Sequence, residues 1–141
     1  MLYQAHVDVM AYVEANLPAQ CTARSLTVPA EYHVGLPVVT MIQQYPACVV
    51  DVDSGGIGGS QSTEIEHSVY VAVVDRDADL DVLNLRLMQY ADAILATLDG
   101  KRFATVIRCA ARKHDSSNLF GTGDSRAVRM RWVEFSVRTV N

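Results

Sequence analysis

The sequence predicts an α+β fold: a mainly antiparallel four-stranded sheet with a long β-hairpin, packed against one long central helix and an N-terminal helix. Apolar and polar residues alternate over 63–75, which is typical of a half-buried strand. Apolar residues recur at helical spacing over 80–98, which is typical of an amphipathic helix. A glycine-rich stretch at 54–60 separates two β-branched segments, which indicates a hairpin.

Length and composition indicate one domain, residues 1–141. Half of the 141 residues are hydrophobic and a fifth are charged, which is enough for a globular core. The three cysteines are widely spaced in apolar segments, so we expect reduced core thiols: Cys21, Cys48 and Cys109. No apolar run is long enough to cross a membrane, and the N-terminus does not resemble a secretory signal. We therefore expect a soluble cytosolic product.

The first helix is predicted over residues 3–17, ending at Pro18. Its apolar positions lie near helical spacing: Ala5, Val9, Val13 and Leu17. Proline removes a helical hydrogen bond, so Pro18 is expected to close the segment. Residues 18–46 hold all four prolines and are expected to be extended or looped, with a short strand near 38–42.

The hairpin and the central helix follow. Strands are predicted at 47–53 and about 63–75, joined by a flexible loop at 54–62. Asp77 or Asp79 is expected to cap the helix, and Asp99–Gly100 to end it. The apolar stripe of this helix is Leu80, Leu83, Leu87, Ala91, Ile94 and Leu98.

Two closing strands are predicted at about 103–113 and 125–140, separated by a loop at about 114–124. In the first of these strands, residues 105, 107, 109 and 111 are expected on one face and 106, 108, 110 and 112 on the other. The second strand changes phase, because its two halves put apolar residues on opposite faces. These are Val128, Met130 and Trp132, then Val133, Phe135 and Val137. Either a bulge near Trp132 resets the register, or the first half packs against something outside the domain.

Charge is distributed unevenly along the chain. Through Gly100 there are 13 acidic residues and three basic ones, and from Lys101 onward there are nine basic and three acidic residues. Such asymmetry is compatible with nucleic-acid binding, with complementary surfaces between copies, or with oppositely charged strands side by side in one fold.

The predicted hairpin also places four carboxylates together: Asp51, Asp53, Glu64 and Glu66. Like charges across a strand pair cost stability unless they are compensated. Three interpretations stay open: plain solvation, an arginine from a neighbouring subunit, or a bound cation.

No catalytic or cofactor motif is present in the sequence. The four histidines are scattered without zinc-ligand spacing, and the glycine-rich stretch lacks the lysine and the Ser/Thr of a phosphate-binding loop. We expect no enzyme, no metal and no cofactor. Basic residues line the last strand at Arg126, Arg129, Arg131 and Arg138, but the acidic balance argues against a free-standing nucleic-acid binder.

Three segments resemble the tail terminator and related neck or tail-completion proteins of long-tailed bacteriophages. They are Tyr45-Pro46-Ala47 before a strand, Tyr90-Ala91-Asp92-Ala93 in the main helix, and the aromatic-rich strand around Arg131-Trp132-Val133-Glu134-Phe135. The resemblance covers residues 3–140 and rests on the order of the elements.

The resemblance implies a structural virion protein in the tail or neck, assembled in the host cytoplasm. It implies a ring, expected to be a hexamer, that ends the tail tube and joins it to the head–neck connector. The implied partners are further copies, the tail tube protein and the connector or stopper protein. No membrane is implied, and DNA is implied only as it passes the lumen. The alternatives are another neck component or a nucleic-acid-associated domain that uses the basic last strand.

The residues expected at subunit or partner contacts fall in the hairpin and in the first half of the last strand. They are Asp51, Asp53, Gly55, Gly56, Ile57, Gly58, Gly59, Glu64, Glu66, Arg126, Val128, Arg129, Met130, Arg131 and Trp132.

Overall fold

The computed structural model describes residues 2–35, 41–57, 64–121 and 127–140, which form two helices and one five-stranded sheet. The elements are α1 (Leu2–Ala23), β1 (Glu31–Val34), β2 (Ala47–Ile57), β3 (Glu64–Asp77), α2 (Leu80–Leu98), β4 (Val106–Gly121) and β5 (Ala127–Val140). The strand order is β1-β2-β3-β5-β4, with β1 parallel to β2 and the other pairs antiparallel. The α+β class and the mainly antiparallel sheet are confirmed. The predicted count of four strands was wrong.

Helix α1 runs past its predicted end, with Pro18 inside it. The apolar stripe continues one turn beyond Leu17 to Cys21, and both side chains are fully buried. The hydrogen bond that proline removes is outweighed by this burial. The Thr22 hydroxyl also donates to the Pro18 carbonyl at 3.0 Å. At 22 residues α1 is longer than the 19-residue α2, so the prediction of one long central helix was wrong.

The additional strand, β1, lies within the proline-containing segment. Glu31 pairs with Ala47 and Val34 with Val50, in parallel register. The predicted strand near 38–42 falls partly on residues 36–40, which lie outside the described residues, and Met41 and Ile42 are not in a strand. The Glu31 carboxylate accepts backbone N–H bonds from Gln43 and Gln44 at 3.1 and 3.0 Å. These bonds hold segment 41–46 against the sheet.

The β2–β3 hairpin is longer than predicted. Gly55, Gly56 and Ile57 pair with His67, Glu66 and Ile65, so the first part of the predicted flexible loop is strand. The rest of that loop, from residue 58, lies outside the described residues. A register shift between Val52 and Ser54 accommodates an extra residue in β2.

Helix α2 has the predicted boundaries. The Asp79 side chain accepts from the backbone N–H groups of Asp81 and Val82, which satisfies orphan donors of the first turn. Gly100 at φ +76° follows the last turn, where a side chain would be strained. Leu80 is 50% exposed, so its predicted place in the core was wrong. The first turn lies beyond the hydrophobic core.

Both helices cover one face of the sheet, which we call the inner face. Its core contains Leu17, Leu87, Ile94 and Phe135, each at most 1% exposed. The Tyr90 hydroxyl donates to the Thr27 carbonyl and ties α2 to the segment after α1. Neither described helix is long and apolar enough to span a membrane.

The three thiols are free and buried, as predicted. Burial raises the pKa of Cys21 to about 11 and that of Cys109 to about 12, and it also raises the pKa of Cys48.

Strand β4 departs from simple alternation. Register shifts against β5 occur between Val106 and Arg108, between Ala111 and Lys113, and between Asn118 and Phe120. The first shift places Val106 and Cys109 together in the inner core, although the sequence predicted opposite faces. The predicted loop at 114–124 was wrong in its first part, because β4 continues to Gly121. Residues 122–124 lie outside the described residues.

Candidate interaction surfaces

The opposite face of the sheet, the outer face, is apolar at one end. A small cluster there contains Ala47, Val49, Ala72, Val74 and Val128, covered by Ile42 and Tyr45. Met130 and Trp132 extend this cluster but are only partly buried. The Trp132 ring meets Tyr70 edge-on, with ring centroids 5.3 Å apart. The chain's own segment 41–46 therefore covers part of this end, and an apolar margin remains.

This cluster explains the phase change in β5. The register with β3 runs from Glu64–Val140 to Asp77–Ala127 without a shift, so the predicted bulge near Trp132 was wrong. The irregularities lie on β4 instead. Strand β5 is regular. Its first half contributes buried residues to the outer face of the sheet, and its second half contributes them to the inner face. Val128 is buried within its own chain, and the expected contacts of Met130 and Trp132 with another subunit stay a prediction.

A polar belt crosses the middle of the outer face. Glu134 is 8% exposed and accepts a hydrogen bond from the Ser68 hydroxyl at 3.2 Å. The Lys113 ammonium lies 3.8 Å from the same carboxylate and 5.8 Å from the centre of the Trp132 ring. A buried carboxylate needs such partners, because an uncompensated charge is costly to bury.

The other end of the outer face holds a basic groove of about 270 Å³. It is lined by Glu66, Arg108, Ala110, Arg112, Ser136 and Arg138. A hydrogen bond from Ser136 lowers the pKa of Glu66, and the positive charges of Arg138, Arg112 and Arg108 lower it further. Glu66 is therefore ionised at neutral pH. Three guanidinium groups against one carboxylate leave the groove able to accept an anion.

Two of the four carboxylates predicted to cluster across the hairpin are separated by the strand register. Asp51 pairs with Tyr70, whereas Glu66 pairs with Gly56, so the two acidic residues are well apart along the strands. The Asp51 carboxylate lies 3.9 Å from Nε2 of His6 on α1. Glu66 has Arg138 of its own chain as its β5 partner, and the predicted contact with an arginine of a neighbouring subunit stays a prediction. The prediction was wrong for Asp51 and Glu66, because the register of two strands cannot be read from the sequence of the loop that joins them.

The arginines of β5 also do not form one basic stripe. Arg129 donates to Asn84 of α2, and Arg131 contacts Nδ1 of His114 at 2.6 Å. Arg138 lines the groove on the other face. Arg129 and Arg131 are therefore engaged within the chain.

The remaining predicted contact residues are placed only in part. Gly58, Gly59 and Arg126 lie outside the described residues. The structure describes the backbone of Asp53, Gly55, Gly56, Ile57 and Glu64, all in paired strands. Within the described residues, no three His, Cys, Asp or Glu side chains converge as a metal site would require.

Sequence reasoning missed the groove, although part of its signal was present. The predicted β4 alternation already put Arg108, Ala110 and Arg112 on one face, as the groove requires. The missing information was the pairing of β4 with β5, which brings Arg138 and Ser136 beside them. No contiguous motif encodes that neighbourhood.

The architecture defines the class of protein as an α+β domain with two helices on one face of a mostly antiparallel sheet. It is similar to a chain in the solved structure titled "Virion of native gene transfer agent (GTA) particle", with a TM-score of 0.61 and 11% sequence identity. The likeness covers 96% of this chain and 94% of that chain. No protein-family model matches the sequence, and no curated protein matches it. The shared feature is the fold.

Proposed function

We propose that the protein is a structural component of a phage-like virion. The observation that carries this proposal is the fold likeness to a chain of a gene transfer agent virion, which extends over almost the whole of both chains. The tail and neck resemblance of the sequence agrees with it, and both likenesses rest on the order of the elements. A fold does not determine a function by itself, so further support for the proposal must come from the surfaces of the domain.

In the finer form of the proposal, the protein forms a ring, with six copies, at the head-proximal end of the tail. The ring ends the tail tube and joins it to the head–neck connector. Its partners are further copies, the tail tube protein and the connector or stopper protein, and DNA passes its lumen. It acts in the virion after assembly in the host cytoplasm, with no catalysis and no cofactor.

The surface supports assembly, because apolar side chains remain uncovered after the single chain folds. Leu85 is 65% exposed, Val82 47% and Met88 43%, all on one helix. Met130 and Trp132 form a second apolar margin on the outer face. Contiguous exposed apolar surface is typical of interaction sites.

Two alternatives remain. Another neck component, such as a stopper or completion protein, would use the same kind of surface at a different level of the particle. A nucleic-acid-associated domain is favoured by the arginine-lined groove. It is disfavoured by the intrachain contacts of Arg129 and Arg131 and by the formal net charge of −4.

Electron microscopy of the purified chain, alone and mixed with tail tubes that lack neck proteins, tests the proposal. We expect rings, with added density at one end of each tube. Tubes whose ends stay bare in the presence of excess protein would contradict it. Salt-sensitive binding to a DNA duplex without tube binding would favour the nucleic-acid alternative.

A further inference from the structure

Helix α2 presents a charged and apolar stripe to solvent. Asp81, Leu85, Met88 and Asp92 are spaced 4, 3 and 4 residues apart, so they share one side of the helix. All four are exposed, and the buried residues of the helix lie on the opposite side. Within the described part of the chain, neither carboxylate makes an ion pair or accepts a hydrogen bond. We call these four residues the α2 stripe.

The basic groove has a matching pattern. Arg108 and Arg112 lie on either side of Ala110 along β4. The two arginines are at most about 13 Å apart at strand spacing, because the register shift between Ala111 and Lys113 shortens β4 there. The two carboxylates of the α2 stripe are about 16 Å apart at helical rise. The stripe reads acidic, apolar, apolar, acidic, and the β4 side of the groove reads basic, apolar, basic.

We propose that the α2 stripe of one copy docks in the basic groove of the next copy. The carboxylates of Asp81 and Asp92 would meet the guanidinium groups of Arg108 and Arg112, with Leu85 and Met88 covered between them. Arginine suits this role because its planar fork pairs with carboxylates through two hydrogen bonds.

The positions of the two surfaces determine the type of contact. The α2 stripe faces away from the inner face of the sheet, whereas the groove lies on the outer face, so the two cannot meet within one molecule. The contact is therefore heterologous, and successive copies close into a ring when the rotation between them allows it. This inference rests on the proposed ring and identifies the surfaces that build it.

A second copy fits the groove better than a nucleic acid does. The ionised Glu66 lies among the arginines and would face the continuous negative charge of a phosphate backbone. Two separate carboxylates with apolar side chains between them avoid that repulsion. Among the described residues that line the groove, none is aromatic, so none offers a ring on which a base would stack.

Charge reversal tests the contact. A helix variant carries Asp81→Arg and Asp92→Arg, and a groove variant carries Arg108→Asp and Arg112→Asp. Each variant alone sets like charges against each other, and we expect self-association to weaken roughly 100-fold. A 1:1 mixture restores opposite charges at every contact, so we expect assemblies of wild-type size. Sedimentation velocity over a concentration series measures all three samples.

The control carries Glu14→Arg and Lys101→Asp, which reverse one charge of each sign at two exposed positions outside both surfaces, and it should associate as the wild type does. Circular dichroism checks that every variant folds. Variants that assemble normally, or a mixture that restores nothing, would overturn the docking proposal while leaving the ring intact. A wild-type protein that remains monomeric, both by itself and when mixed with tail tubes, would overturn the ring proposal as well. A groove variant that assembles normally but no longer binds a DNA duplex would assign the groove to nucleic acid.

Discussion

His67 is a polar residue buried in the middle of the sheet, on β3. It is 1% exposed, and its Nε2 lies 3.0 Å from the Thr139 hydroxyl on β5. Nδ1 has no hydrogen-bond partner among the described residues. Burial lowers the pKa of His67, and the neighbouring His6 lowers it further. The folded protein therefore favours the neutral imidazole.

This burial predicts a loss of stability in mild acid. The unfolded chain binds a proton at His67 near pH 6.5, whereas the folded chain binds it only at lower pH. The free energy of unfolding should then fall as pH drops below about 6.5, by at most about 1.4 kcal/mol per pH unit from this one group. His67→Gln should flatten this slope in urea titrations between pH 7.5 and 5.5.

If His67→Gln keeps the full wild-type slope, the acid sensitivity arises elsewhere and the assignment is wrong.

At the level of single elements, β5 carries two different packing environments. Phe135 is fully buried on the inner face beneath the helices. Trp132 is partly buried on the outer face, beside Tyr70. The strand has no register shift against β3, so one regular strand contributes buried side chains to both faces of the sheet.

The two environments predict different costs for truncation. Phe135→Ala should lower the free energy of unfolding by about 3–5 kcal/mol, because it leaves a cavity in the main core. Trp132→Ala should cost roughly 1–2 kcal/mol, because part of its surface is already in water, and it should also weaken self-association. Chemical denaturation measures the first effect and sedimentation the second. Equal destabilisation by the two variants, with association unchanged, would place Trp132 in the monomer core.

The elements were predictable where one local pattern dominated. The Asp79 cap, Gly100 and the stripe from Leu83 to Leu98 determined α2 with little outside help. Helix α1 was cut short at Pro18, because the burial of Cys21 depends on packing that a sequence window does not contain. The bulges of β4 were equally hidden, since they exist only relative to β5.

At the scale of the whole molecule, the charge asymmetry of the chain has two outcomes. Part of it is compensated within the fold, where Glu66 of β3 lies opposite Arg138 of β5. Another part contributes to the α2 stripe and the basic groove, on opposite sides of the domain. The sequence showed that the charges were separated along the chain. Which of them remain at the surface was decided by strand register, and register follows from long-range pairing.

The mass of the wild-type protein in solution tests the central claim most directly. The uncovered apolar and charged surfaces should be covered by identical copies, so multi-angle light scattering at rising concentration should approach a mass near six protomers. Salt should weaken the assembly, because its contacts include exposed charges. A mass that stays at one protomer throughout, including in the presence of tail tubes, would contradict the account.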